Sequence, residues 1–337
     1  MNFIKKVLRK NEFYLVLVII LYCFVVQMKS GSFFAMTNFV NILNNMTITG
    51  IFALGMLPVI LTGGIDVSFA AIVALSTYVG VSLLGKLNIA NGTANVLIMF
   101  AFSIVLSVLL ASINGVLIGY IRLPPLVITL GMMNVTYGFL MGVLDATAQN
   151  RLPAGFNEFG TTYLLTVENE ATGRSASLPY SFLIMVVLTV LTALFLRYTM
   201  LGRGIYAVGG NEKAAQKIGY DVKRIKFFAY CFMGFMASIA AVIKICNIRY
   251  NVPENLVGSE MDVIAAVVLG GTSLSGGKGS VFGTILGVCL ITLVNGTLNF
   301  LGVPSYWQTF FTGTVIVVGT AITSYQAYRS SGQVADV

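Results

Sequence analysis

The sequence predicts an all-α polytopic membrane bundle of about ten spans, two of them short enough to be half-helices, with the N- and C-termini cytoplasmic. Three observations predict it. Of 337 residues, 57% are hydrophobic and 9% are charged, against about 25% charge in an average soluble domain. The apolar residues fall into runs near the roughly 20 residues that cross a bilayer. The remaining charges collect between those runs, seven of them within residues 209–226. A soluble core of this length could not show so few charges to water, whereas lipid-facing helices need none because their backbone groups pair internally. Residues 1–337 therefore read as a single transmembrane domain.

The first span, 12–29, follows a basic head with no small-residue cleavage site behind it, so it reads as a retained span and not a removed signal peptide. Further spans are expected near 43–62, 67–86, 95–120, 124–144, 180–196, 227–246, 261–274, 280–300 and 304–325. Segments 43–62 and 261–274 are short or interrupted by glycine. Each reads either as a full crossing or as a half-helix. Cys23, Cys231, Cys246 and Cys289 lie inside apolar runs at spacings that suit neither metal ligation nor a disulfide framework, so they read as packing residues. With no histidine, and no Ser or Cys nucleophile paired with a base, neither a metal site nor enzymatic chemistry is expected. No cofactor is implied.

Lysine and arginine set the orientation, because short loops rich in them stay in the cytoplasm. Lys5, Lys6, Arg9 and Lys10 place the N-terminus inside. Counting crossings then places loop 197–226 inside as well, and it carries Arg197, Arg203, Lys213, Lys217, Lys223, Arg224 and Lys226. The same count places loop 145–179 outside, where Asp145, Glu158, Glu168 and Glu170 outnumber Arg151 and Arg174. The formal charge of +8 thus follows topology, and no contiguous basic, aromatic-interleaved patch points to nucleic acid.

Positive-inside bias alone explains the basic side chains of 209–226 but not the order of the others. Asn211 is a good helix N-cap and Glu212 suits the first turn. Gly219 is a natural stop, and Asp221 can cap the next helix. A short helix across the cytoplasmic face follows, with small Ala214 and Ala215 in its middle and Ile218 as its one apolar knob.

The segment EKAAQKIG, with AA-x3-G behind a glutamate, resembles the EAA loop of ABC-importer permeases. The longer stretch GRGIYAVGGNEKAAQKIGYDVKRIKFFAYCFMGFMASIAAVI is similar to the corresponding region of the ribose-type simple-sugar permeases, which include xylose and autoinducer-2 importers. TGGIDVSFAAIVALS (62–76), ASINGVLIGYIRLPPLVITLGMM (111–133), SEMDVIAAVVLGGTSLSGGKGSVFGTILG (259–287) and PSYWQ (304–308) resemble further blocks of that family. The resemblance implies a subunit of the inner (plasma) membrane, in contact with lipid, that moves a simple sugar or sugar-like solute inward by alternating access. It implies a cytoplasmic ABC ATPase docked on Asn211, Glu212, Ala214, Ala215 and Gly219. It also implies an external or periplasmic sugar-binding protein, where most selectivity lies, and a second permease subunit, either identical or a close paralogue. The alternative from a different class is an ion-coupled secondary transporter using Asp66, Glu260 or Asp262.

Two apparent nucleotide motifs fail. SGGKGS (275–280) would need glycine at Thr272 and Ser or Thr at Gly279 to be a phosphate loop, and GRGIYA (202–207) follows an apolar helix where a dinucleotide fold needs a strand. Any ATPase is therefore another polypeptide.

Polar residues within the apolar runs are the candidate pathway: Asp66, Ser68, Asn114, Thr129, Asn134, Ser273, Ser275 and Asn295. Gly63 and Gly64 let the backbone leave helical geometry, so that Asp66 and Ser68 can cap a fresh half-helix facing a cavity. Asp66 reads first as such a structural cap, with a solvated cap at the cytoplasmic rim and a direct substrate contact as the alternatives. GGIDVS (63–68) is echoed by GGTSLS (270–275), with Gly270 and Gly271, as two related helix breaks or as a chance likeness of glycine-rich turns. The uncharged Ser, Thr and Asn side chains suit a hydroxyl-rich solute, and they suit helix-to-helix hydrogen bonds as well.

Overall fold

The computed structural model describes residues 11–30, 33–87, 89–169 and 173–300, with separate positions between 304 and 317. The basic head, most of the expected 304–325 span and the C-terminus lie outside the described residues. In chain order the elements are α1 (Asn11–Ser30), α2 (Met36–Leu61), α3 (Phe69–Leu87), α4 (Gly92–Gly119), α5 (Pro125–Gly142) and α6 (Phe156–Thr161). Strands β1 (Tyr163–Asn169) and β2 (Arg174–Pro179) follow, then α7 (Ser181–Tyr198), α8 (Met200–Gly210), α9 (Glu212–Lys217), α10 (Val222–Ile248), α11 (Glu260–Leu269) and α12 (Val281–Phe300).

Among the described residues seven helices, α2, α3, α4, α5, α7, α10 and α12, are long and apolar enough to cross a membrane. The architecture is an all-α membrane bundle. The segment expected at 43–62 is a helix of 26 residues, because polar Asn38, Asn41, Asn44 and Asn45, which a hydropathy reading leaves out, continue it toward its N-terminus. The segment expected at 261–274 is short: α11 has 10 residues, about 15 Å of helix against a hydrocarbon core of about 30 Å. Helix α3 fills the span expected at 67–86 with 19 residues, so what Asp66 and Ser68 precede is a full-length helix and not a half-helix. Loop 145–179 is not featureless. It folds α6 and an antiparallel hairpin in which Thr166 faces Ser177 and Val167 faces Ala176, and Ala176 and Leu178 pack on Val40 at the start of α2.

Helices α2 and α10 form the centre, with Ile51, Leu54, Leu57 and Ile60 of the one and Met233, Ala237, Ala240 and Ile243 of the other fully buried. The outer helices α4, α5 and α7 turn apolar side chains outward, among them Val105, Leu109, Val135, Val187 and Leu191. Lipid offers no hydrophobic drive between helices, so close association needs small residues and interhelical hydrogen bonds. Both are present. Ser107 donates to Ser76 across α3 and α4 at 3.0 Å, and a β-carbon on Gly234 of α10 would stand 2.7 Å from the Ala111 β-carbon and 2.9 Å from the Ser107 carbonyl oxygen on α4.

Gly234→Leu therefore has no room and should destabilise the bundle by about 1–3 kcal/mol, while Gly131→Leu, whose β-carbon meets nothing within 4 Å, should be close to neutral. Thermal midpoints of the two purified variants in one detergent check this; equal midpoints would refute the packing.

Candidate functional site

Helix α2 ends where Gly63 takes a left-handed φ of 77°, a conformation that costs glycine little. The chain then runs non-helically through 62–68 before α3 starts. Asp66 shapes that return: its Oδ1 accepts from the Ser68 amide at 2.8 Å and from the Ser68 hydroxyl at 2.6 Å. The Ser68 hydroxyl accepts in turn from Asn114 Nδ2 of α4 at 2.8 Å. Thr129 of α5 donates to the Ile65 carbonyl at 3.3 Å. The break is thus tied to two neighbouring helices. Asp66 has no exposed surface, so it is not a solvated cap at a rim. Asp66 Oδ2, Asn114 Oδ1 and the Tyr230 hydroxyl are buried with no protein partner, and Tyr230 would stand 2.5 Å from a β-carbon placed on Gly64. These three atoms make the first break a polar centre inside an apolar bundle.

A second break lies beside the first. Helix α11 stops at Gly270, Gly271 reverses the chain with a φ of 88°, and a non-helical return 272–280 leads into α12. Within it the Gly277 amide donates to the Leu61 carbonyl at 2.9 Å, and a β-carbon on Gly63 would meet the Ser275 carbonyl at 3.5 Å. The two glycine-rich motifs therefore come together in space. The C-terminal end of α8 joins them: a β-carbon on Gly209 would overlap the Leu61 carbonyl oxygen, and one on Gly277 would lie 2.7 Å from the Gly210 Cα. Tyr206 of α8 donates to the Gly279 carbonyl at 3.2 Å. Burial pushes the Tyr206 phenol above its ordinary range, which keeps it a donor.

From this junction α9 projects. Asn211 caps it by accepting from the Ala214 amide at 3.0 Å, and Gly219 ends it with a φ of 94°. Asp221 caps α10 through the Arg224 amide at 3.2 Å. Glu212 pairs with Lys226 at 2.7 Å, pinning α9 to α10. Ala215 is 2% exposed, so its small size serves packing within the chain and it is not part of an outward face. That face consists of Lys213, Ala214, Gln216, Lys217 and Ile218, the last 73% exposed.

The family model of the permease component of the branched-chain amino acid transport system matches residues 38–319. The chain belongs to this family of transport permeases. The permease is 35% identical over 302 residues to the ribose import permease protein RbsC of Escherichia coli K12, covering 88% of this chain and 89% of that one. It is 34% identical over 329 residues to the probable ABC transporter permease protein YphD of the same strain, covering 95% and 92%. It is 30% identical over 287 residues to the autoinducer 2 import system permease protein LsrC of Yersinia enterocolitica, covering 85% and 75%. No solved structure matches it.

Of the predicted pathway residues in the permease, Asp66, Ser68, Asn114 and Thr129 gather at the first break, and Ser273 and Ser275 lie on the second. Two do not join. Asn134 is exposed on the outer face of α5, since five residues from Thr129 is about 140° around a helix of 3.6 residues per turn. Asn295 of α12 instead donates to Asp262 Oδ2 at 3.4 Å. Gly270 faces α12, where a β-carbon on it would stand 2.7 Å from the Thr284 amide, so it serves helix packing. Sequence reasoning missed Tyr230 and the pairs Gly209–Gly210 and Gly276–Gly277. The glycine pairs flanking each break were visible in the sequence, but their mutual contact was not.

Asp66→Leu removes the acceptor of both Ser68 bonds and should cost about 1–3 kcal/mol through the donors left unpaired. Asp66→Asn keeps an acceptor and should cost clearly less. Chemical or thermal unfolding of the purified chain in detergent separates them, and equal losses would show that the carboxylate charge matters more than its bonds.

Proposed function

We propose that the chain is the permease subunit of an ATP-binding-cassette importer that passes a simple sugar or sugar-like solute inward by alternating access. A separate cytoplasmic ATPase docks on the outward face of α9, an external binding protein delivers solute at the hairpin end, and a second permease subunit, identical or closely related, completes the pathway in the inner membrane. The observation that carries this reading is the glycine junction. It places the C-terminal end of α8 in backbone contact with Leu61 at the first break and with Gly276 and Gly277 at the second. A push on α9 reaches the membrane-depth breaks with no flexible side chain between.

Two further observations support the assignment. Arg197, Arg203, Lys213, Lys217, Lys223 and Arg224 are all exposed at the α9 end, as a cytoplasmic loop requires. The names of the relatives supply the solute class: ribose for RbsC and autoinducer 2 for LsrC.

The test is transport in vesicles holding the chain, its ATPase and its binding protein, with a proton uncoupler present throughout and D-ribose, D-xylose and D-galactose as probes. Accumulation of one of them only when ATP is supplied is expected. Accumulation by the chain alone on an ion gradient, with ATP adding nothing, would replace the importer with an ion-coupled transporter. In the same assay Ile218→Asp should lose ATPase co-purification and uptake together, because it puts a charge on the one apolar knob; normal uptake would remove α9 from the docking surface.

A further inference from the structure

A hollow of about 340 Å³ opens between α2 and α12, at the end of α2 away from the glycine junction. Asn38, Asn41 and Asn45 line one side of it, and Leu293, Gly296 and Thr297 the other. The asparagines recur at three and four residues, so they form one stripe along α2. Asn38 donates to the Phe33 carbonyl at 3.4 Å. Asn41 and Asn45 are exposed, and among the described residues neither side chain has a hydrogen-bond partner.

That is costly on a membrane-spanning helix. An amide without a partner in hydrocarbon loses several kcal/mol, and the exposed faces of α4, α5 and α7 are dominated by Val, Leu and Ile. The stripe on α2 is therefore built to meet water or a polar ligand, not lipid. The opposite wall is kept open: a β-carbon on Gly296 would meet nothing within 4 Å, although glycine inside a helix is about 1 kcal/mol worse than alanine. Each amide offers two donors and two acceptor lone pairs, which matches hydroxyl groups that both donate and accept. No charged side chain lines the hollow, so the ammonium and carboxylate of an amino acid would find no counter-charge.

We infer that this hollow is a waypoint on the translocation route that binds a neutral, hydroxyl-bearing solute through Asn41 and Asn45. The solute class rests on the importer reading above; the exposure of the stripe to water does not. Because the hollow and the hairpin share one end of α2, it forms the external mouth of the route, and Gly296 sets the width of that mouth.

The experiment uses the complete importer with Cys23, Cys231, Cys246 and Cys289 replaced and a single cysteine introduced as Asn41→Cys or Asn45→Cys. A hydrophilic, membrane-impermeant thiol reagent should label both positions. D-ribose or D-galactose at about two to nine times its Kd should slow that labelling about threefold to tenfold by occupying the hollow, and L-leucine should not. Labelling only by an apolar reagent would place the stripe in lipid. Spontaneous disulfide formation between two copies would make it a subunit interface, and slowing by L-leucine or by no sugar would remove the proposed ligand. Each of these results overturns the inference. Gly296→Leu, for which there is room, gives the independent reading: thermal stability equal to or above the parent and ATP hydrolysis retained, with loss of uptake, is expected, and unaltered uptake refutes a mouth at this position. Failure of the importer reading shows separately, as an absence of ATP-dependent uptake by the complex before any substitution.

Discussion

A β-carbon on Gly209 would overlap the Leu61 carbonyl oxygen, and one on Gly276 would stand 2.8 Å from the Gly63 amide. The end of α2, the approach to α9 and the return from α11 therefore touch through bare backbone, with the hydrogen bond from Gly277 to Leu61 stitching them at 2.9 Å. Side-chain contacts can absorb a displacement by changing rotamer, whereas backbone against backbone cannot. The rest of the site follows from that stiffness. The loop helix is pinned at its other edge by the Glu212–Lys226 pair, so in the docking proposed above a force on its outward face would be delivered to both breaks at once.

We propose that both breaks lie at membrane depth, where non-helical backbone survives only when it is buried in protein or lines a cavity. The first break meets that condition with Asp66, Ser68, Asn114 and Thr129, which draw α3, α4 and α5 around it. The second meets it with glycine, which lets α11 and α12 close onto each other. The two ends of α2 thus differ in chemistry. A carboxylate and glycines hold the α9 end, while neutral amides occupy the hairpin end. In the importer proposed above, energy source and cargo would act at opposite faces, and such a division would serve both.

Much of this was legible in the sequence because membrane helices are written in long apolar runs and their caps in single residues. Asn211, Gly219 and Asp221 occupy the cap positions their chemistry implied. The half-length of α11 was open to reading from its flanking glycines. The full length of α2 was not, since four asparagines interrupt its hydropathy while leaving its helical geometry intact. The hairpin at 163–179 was overlooked although Thr166, Val167, Ser175 and Ser177 have strand-compatible side chains. Ala215 was misjudged for a different reason: small residues look alike whether they admit a partner protein or the chain's own core, and only the rotation of α9 about its axis decides. The meeting of three glycine pairs from segments about 70 and 145 residues apart leaves no local pattern to read.

The central claim is that α9 and the second break move as one body. Spin labels at Gln216 and Ser275, both exposed, report it directly in the assembled importer, through their separation measured by pulsed electron resonance with and without ATP. The account predicts an unchanged distance distribution while uptake proceeds. A shift of several ångströms between the two nucleotide states would contradict it, because the glycine junction would then be a hinge and not a rigid link.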